Sequence, residues 1–217
     1  MQNFESMINE TRLIAIIRGI GSEHLAPVLD AIYAGGVRLA EITYDSTGVR
    51  SDEETARWIA EAAERMEGKM YIGAGTVLKD RQVELTEHAG GSFIISPNMD
   101  REVIRKTKAL GMFSIPAAMT VSEIVEADRA GADYIKVFPA DAIGGAAFFR
   151  AVRAPLPGIR LLAVSGVTPE NAGEYLRAGA YGFGIGSGIV NAALCKAENY
   201  RQIEENARRF SDACAGK

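Results

Sequence analysis

The chain of 217 residues carries 24 lysines and arginines against 28 aspartates and glutamates, a net charge of −4, and 47% of its residues are hydrophobic. That is the composition of a folded protein with a sizeable core, and it excludes the dense basic footprint of a nucleic-acid binder. No run approaches the roughly 20 apolar residues of a membrane span, and the opening M-Q-N-F-E-S-M has no basic segment leading into an apolar one, so neither a membrane nor a secreted protein is expected.

After a short helical lead, Leu13–Ile17 (L-I-A-I-I) reads as a buried strand ending in Arg18, and Ser22 is placed to cap a helix running to Gly35. A second strand, 38–43, holds Glu41 between apolar neighbours; a helix containing Trp58 follows Ser51 as far as Gly68. Strand three, 70–73, enters the glycine-rich turn G-A-G-T-V, and strand four, 92–96, stops at Pro97 before a helix over 100–110. Strand five is expected at 112–115, a helix at 120–130, strand six at 133–137 and strand seven at 160–164. A helix opening at Thr168-Pro169-Glu170 then leads to strand eight at 181–185. The Ala-Gly pairs within 34–36, 130–132 and 178–180 read as glycine caps where helices hand over to strands.

Apolar strands alternating with amphipathic helices require a parallel sheet covered by helices. Eight such units close into a (β/α)8 TIM barrel of the α/β class, taken as one domain over 1–217 with a short N-terminal helix. An open doubly wound sheet is the rival, but R-G-I-G after strand one lacks the dinucleotide glycines in register. His24 and His88 read as exposed helix residues. With Cys195 and Cys214 they show neither metal-ligand spacing nor a disulfide framework, so no metal is expected and a reducing cytoplasm is the expected location.

Lys136 is out of place inside the apolar run D-Y-I-K-V-F-P-A. Burying an ammonium costs several kcal/mol unless it is paired or deprotonated, and a desolvated lysine lowers its pKa, which makes the neutral amine a nucleophile toward carbonyls. The alternative is that Lys136 snorkels to solvent along Tyr134 or Phe138. Barrel chemistry sits at the C-terminal ends of the strands, and the unusual polar residues fall there: Arg18, Glu41, Thr43, Thr76, Ser96, Lys136, Ser165-Gly166 and Gly186-Ser187. Alone, Glu41 would read as a carboxylate satisfied by backbone donors; across the mouth from Lys136 it supplies the proton shuttle that imine chemistry needs. The loops S-G-V-T-P-E-N and G-I-G-S offer backbone N–H groups to an anion, and Arg18 either adds a charged donor or caps the barrel.

Taken in order, I-A-I-I-R-G, the strand-two glutamate, I-G-A-G-T-V-L, I-I-S-P-N, K-V-F-P-A and G-I-G-S resemble the class I aldolases acting on 2-keto-3-deoxy-6-phosphogluconate and 4-hydroxy-2-oxoglutarate, over essentially the whole chain. The resemblance implies metal-free cleavage of a 2-keto-3-deoxy-6-phospho sugar acid to pyruvate and glyceraldehyde 3-phosphate, by a homotrimer. It implies Lys136 as the Schiff-base lysine, Glu41 as acid/base, Thr76 at the pyruvate carboxylate, the Pro97 carbonyl on a catalytic water and Phe138 as a wall. Arg18, Ser165, Gly166, Gly186 and Ser187 match the distal phosphate region. Asp45 stands where many members have an arginine, Pro116-Ala117-Ala118 where a proline-glycine pair is common, and Ala163-Val164-Ser165-Gly166 where gluconate-type enzymes have P-T-G-G. The A-V-x-G-V-T-P-E-N segment is more similar to the 6-phosphogalactonate branch. Cleavage of 4-hydroxy-2-oxoglutarate is the alternative within the family. A phosphosugar isomerase or epimerase using Glu41 as base, and a non-catalytic phosphometabolite-binding barrel, are the alternatives outside it.

Overall fold

The computed structural model describes residues 3–215. Its elements run α1 (Phe4–Thr11), β1 (Leu13–Ile17), a 3₁₀ turn (Ser22–His24), α2 (Leu25–Ala34), β2 (Leu39–Thr43), α3 (Asp52–Arg65), β3 (Tyr71–Gly75), α4 (Asp80–His88), β4 (Phe93–Ile95) and α5 (Arg101–Ala109). They continue with β5 (Phe113–Ile115), β6 (Ala117–Ala118), α6 (Val121–Ala130), β7 (Ile135–Val137), α7 (Gly145–Arg153), β8 (Leu161–Val164), α8 (Pro169–Ala178), β9 (Gly182–Ile185), α9 (Ala192–Lys196) and α10 (Tyr200–Cys214). All paired strands are parallel, in the order β5-β4-β3-β2-β1-β9-β8-β7-β6.

This is the expected TIM barrel, with its fifth strand broken in two at Pro116. Proline has no N–H to give to a ladder. Before it, β5 pairs with β4; after it, β6 pairs with β7. The Pro116 carbonyl accepts from Lys136 N (2.9 Å) and the Ser114 carbonyl from Asp133 N (2.9 Å), which closes the ring between the fifth and sixth barrel strands.

Side-chain parity along each strand decides what the barrel encloses. Ile14, Leu39, Phe93, Tyr134 and Leu162 belong to one cluster with Phe4, Met7 and Ile8 of α1, whereas Leu13, Ala40, Ile94, Ile135 and Leu161 belong to the larger layer under the helices. Phe4 stacks on Phe113 with ring centroids 4.1 Å apart and meets Tyr71 edge-on at 5.3 Å, so α1 plugs the N-terminal mouth. Burying a ring of that size contributes about 1.5–3 kcal/mol. Because interior positions recur every second residue, Leu39 puts Glu41 inside, Tyr134 puts Lys136 inside and Leu162 puts Val164 inside, one layer nearer the C-terminal mouth.

Helix starts follow the sequence signals where a side chain can reach a free N–H. Ser51 accepts from Glu54 N, and Thr120 and Thr168 form capping boxes with Glu123 and Asn171. Ser22 does not cap α2 as expected: the chain makes the 3₁₀ turn first, with no side-chain cap. Gly36, Gly131 and Gly179 take φ of 96°, 100° and 104°, the left-handed hand-over that their Ala-Gly pairs announce. His24 also departs from expectation. Its side chain is only 12% exposed and its Nδ1 lies 2.8 Å from the Tyr200 hydroxyl, because α10 folds back beside the 3₁₀ turn; His88 is exposed. Cys195 and Cys214 are free and buried. Among the described residues no helix is long and apolar enough to cross a membrane.

Candidate active site

Glu41 on β2 and Lys136 on β7 stand on the second and sixth of eight barrel strands, which are opposite one another across the ring. Glu41 is 1% exposed and Lys136 6%. Lys136 therefore does not snorkel. Its Nζ instead sits 4.7 Å from the centroid of the Phe138 ring. Both carboxylate oxygens of Glu41 are buried without a hydrogen-bond partner, so the alternative of a carboxylate satisfied by backbone donors does not hold. Burial pushes the Glu41 pKa up, opposed by the charges of Lys136 and Arg18. Burial likewise pushes the Lys136 pKa down, opposed by Glu41 and reinforced by Arg18. Each group is driven toward its neutral form, the state a nucleophilic amine requires.

The Glu41 carboxylate has room because Gly75 on β3, two residues beyond the Glu41 register partner Gly73, has no side chain. A Cβ built on Gly75 would lie 2.5 Å from Glu41 Cδ and 2.6–2.7 Å from its oxygens. Gly75→Ala must displace the carboxylate, and we expect any chemistry that uses it to slow by roughly 10²-fold, the cost of an ångström-scale misplacement. Reaction of the Lys136 amine with a carbonyl compound should survive, and turnover measured beside borohydride trapping on one preparation separates the two effects.

Arg18, Thr76, Pro97, Lys136, Phe138, Gly186 and Ser187 line one cavity of about 410 Å3, so seven of the residues singled out from sequence are brought together. Thr76 is held at φ 58°, in the left-handed region that a β-branched residue rarely enters, and it accepts a hydrogen bond from Arg18 Nη2 (3.0 Å). Backbone strain of this kind costs about 1–3 kcal/mol and is a feature of functional sites. The contact ties Arg18 to Thr76 and not to Ser165 or Gly166. Those two are not part of the lining. Ser165 turns at φ 83°, while Gly166 packs against Asp141 and gives its carbonyl to Asn171 Nδ2 (2.8 Å). Val190 and Asn191 join the lining unannounced by the sequence reading. The one available signal was Asn191 as N-cap of α9, whose side chain accepts from Leu194 N.

Asp45 is engaged within its own loop. Its carboxylate accepts from the Thr47 hydroxyl (2.7 Å), Thr47 N (2.8 Å) and Arg50 N (2.8 Å), and these bonds hold its pKa at about 2. Among the described residues no group of three or more His, Cys, Asp or Glu side chains is arranged to hold a metal ion.

Residues 4–206 match the family model described as KDPG and KHG aldolase. The chain is 34% identical to the 2-dehydro-3-deoxy-6-phosphogalactonate aldolase of Escherichia coli (strain K12), covering 93% of this chain and 95% of that one. It is 38% identical to a probable enzyme of the same name from Rhizobium meliloti (strain 1021), over 85% and 84% of the two chains. A native KDPGal structure superposes with a TM-score of 0.83 at 35% identity, over 93% of both chains. The KDPG aldolase of Legionella pneumophila, solved with pyruvate captured as a covalent carbinolamine, superposes with a TM-score of 0.82 at 27% identity, over 94% and 95%.

Proposed function

The chain belongs to the KDPG and KHG aldolase family of lyases, and we propose that it cleaves a 2-keto-3-deoxy-6-phospho sugar acid through an imine on Lys136. The observation that carries this reading is the buried Lys136 facing a buried Glu41 whose oxygens have no partner. Neutral Lys136 Nζ adds to the C2 carbonyl, and loss of water from the carbinolamine gives the protonated imine. Glu41 takes the proton from the C4 hydroxyl as the C3–C4 bond breaks, so the electron pair flows into the imine, an enamine forms and glyceraldehyde 3-phosphate leaves. The enamine is protonated at C3, and water releases pyruvate and restores the amine. No step needs a metal or an oxidant.

The Arg18–Thr76 pair offers a guanidinium and a hydroxyl to the C1 carboxylate, a charge-assisted site at the end of the cavity nearer β1 and β3. Phe138 and Pro97 wall the reacting carbons, with the Pro97 carbonyl on the water. Gly186 and Ser187, after β9, are left for the phosphate; Ser165 and Gly166 follow the lining residue Val164 but are not in the lining. A homotrimer in the cytoplasm belongs to the same reading. Leu78, Met119 and Phe138 are exposed just beyond the C-terminal ends of β3, β6 and β7, Val121 is exposed at the start of α6, and both cysteines are free, which support it.

Val164 points into the cavity from the end of β8 and brings no hydroxyl. A site that hydrogen-bonds a substrate hydroxyl rejects the epimer that leaves the donor unpaired, and valine removes that discrimination. We expect 2-keto-3-deoxy-6-phosphogalactonate to be cleaved at least as well as its gluconate epimer, and Val164→Thr to move the ratio of kcat/KM toward gluconate. Pyruvate release measured with both epimers and with 4-hydroxy-2-oxoglutarate tests the reading. A strong gluconate preference unchanged by the substitution, or equal efficiency on the unphosphorylated substrate, would sink it. The isomerase and binding-protein alternatives find no support among the relatives.

A further inference from the structure

The larger cavity at the C-terminal mouth is not the one that holds Lys136. It measures about 630 Å3, lies over the ends of β1 and β2, and shares Arg18 and Thr76 with the catalytic cavity. Arg50 enters it in a fixed pose. Its guanidinium stacks 4.1 Å over the Trp58 ring, its Nε donates to Thr55 Oγ1 (3.0 Å) and its Nη2 to the Thr43 carbonyl (2.7 Å). The bonds from Asp45 to the backbone of the same loop hold the base of this arm in place. Nη1 of Arg50 and the Nε and Nη1 of Arg18 make no hydrogen bond or ion pair among the described residues, although most other arginines of the chain are paired with carboxylates or carbonyls. Glu23, Asp45 and Glu54 also line the cavity, and the charges of Asp45 and Glu54 act on Arg50, but none of the three carboxylates is bonded to the free guanidinium edges: Asp45 accepts from Thr47 and the backbone of Arg50, and Glu23 is 70% exposed and sits 3.4 Å from His24 Nε2. A pre-organised guanidinium edge beside a second one suits a compact, multiply charged oxyanion.

We propose that this cavity is a second anion site, which takes inorganic phosphate or a small phosphate monoester between Arg18 and Arg50. It is separate from the keto-acid site and coupled to it through Arg18, a coupling that rests on the assignment of Arg18 and Thr76 to the keto-acid carboxylate. An anion drawing on the Arg18 guanidinium from this side weakens the hold of that guanidinium on a carboxylate from the other.

Pyruvate has no distal group, so its capture on Lys136 by borohydride is blind to phosphate bound at Gly186 and Ser187. At constant ionic strength, inorganic phosphate should raise the pyruvate concentration for half-maximal capture by roughly tenfold, the worth of one charge-assisted contact. Chloride at matched ionic strength should not. Arg50→Lys should keep the effect in part and Arg50→Gln should lose it, while both variants capture pyruvate like the wild type when phosphate is absent. A stronger effect of glycerol 3-phosphate than of phosphate would identify the monoester as the ligand, and the reverse would identify the free ion. An unchanged half-saturation in the wild type, or an equal rise in Arg50→Gln, overturns the proposal. If pyruvate is not captured at all, the imine reading fails by itself. Calorimetric titration of phosphate then decides: weaker binding in Arg50→Gln supports the site, equal binding overturns it.

Discussion

Lys136→Met should fold, take up no pyruvate on borohydride reduction and show no measurable aldol cleavage, whereas the wild type should gain one reduced pyruvate adduct that peptide mapping assigns to Lys136. The substitution removes the one amine lining the cavity and replaces it with an unbranched apolar chain of similar length, so β7 and its neighbours keep their packing. Nothing else lining that cavity can form an imine. The pH dependence carries a sign that separates a buried amine from an exposed one. An ordinary lysine titrates near about 10.4, and burial together with the Arg18 charge lowers Lys136 from that range. The rate of adduct formation in the wild type should therefore rise with pH and level off below the range of an exposed lysine. A pyruvate adduct on Lys136→Met, or a rate still climbing at the pKa of an exposed lysine, would remove the basis for the imine.

What could be read from the residues and what could not divide along physical lines. Continuous apolar runs such as Leu13–Ile17 declare a parallel strand because both faces are buried, and capping residues such as Ser51, Thr120 and Thr168 act through bonds three residues long. Lys136 and Glu41 were legible for the opposite reason: a charge in an apolar strand contradicts its surroundings, and such contradictions collect at sites. Contacts between distant loops leave no local trace. The bond from Arg18 to Thr76 joins residues 58 positions apart, so a sequence reading that grouped Arg18 with the glycine loops had no means to see that Thr76 also holds it. The same holds for His24, whose partner Tyr200 is 176 positions away. Pro116 was visible, but its effect was not. Whether a proline ends a strand or hands it from one neighbour to the other depends on which ladders lie beside it. Asp45 could be read only as a departure from the arginine of many members, and its bonds to Thr47 and Arg50 show that it organises its own loop.

Glu41→Gln should lose turnover by roughly 10²-fold or more while pyruvate capture reaches the wild-type extent and the melting temperature does not fall. The amide keeps the shape that Gly75 accommodates but cannot accept the C4 proton. Its effect on Lys136 is favourable to capture, since the Glu41 charge raises the lysine pKa and its removal lets that value fall further, leaving more neutral amine. The stability side follows from the direction of the Glu41 shift. A carboxyl whose folded pKa is raised stabilises the fold below its unfolded pKa, and that contribution is lost as pH rises through the folded value. At neutral pH the buried carboxylate is a burden that glutamine does not carry. Its two unpartnered oxygens are the structural sign of the same cost. The difference in melting temperature between variant and wild type should accordingly shrink as the pH is lowered toward the carboxylate range, where Glu41 is protonated in both folded and unfolded chains. Near-normal turnover in Glu41→Gln would hand the proton to another group. A loss of pyruvate capture together with turnover would mean that Glu41 serves to place Lys136 and not to move the proton.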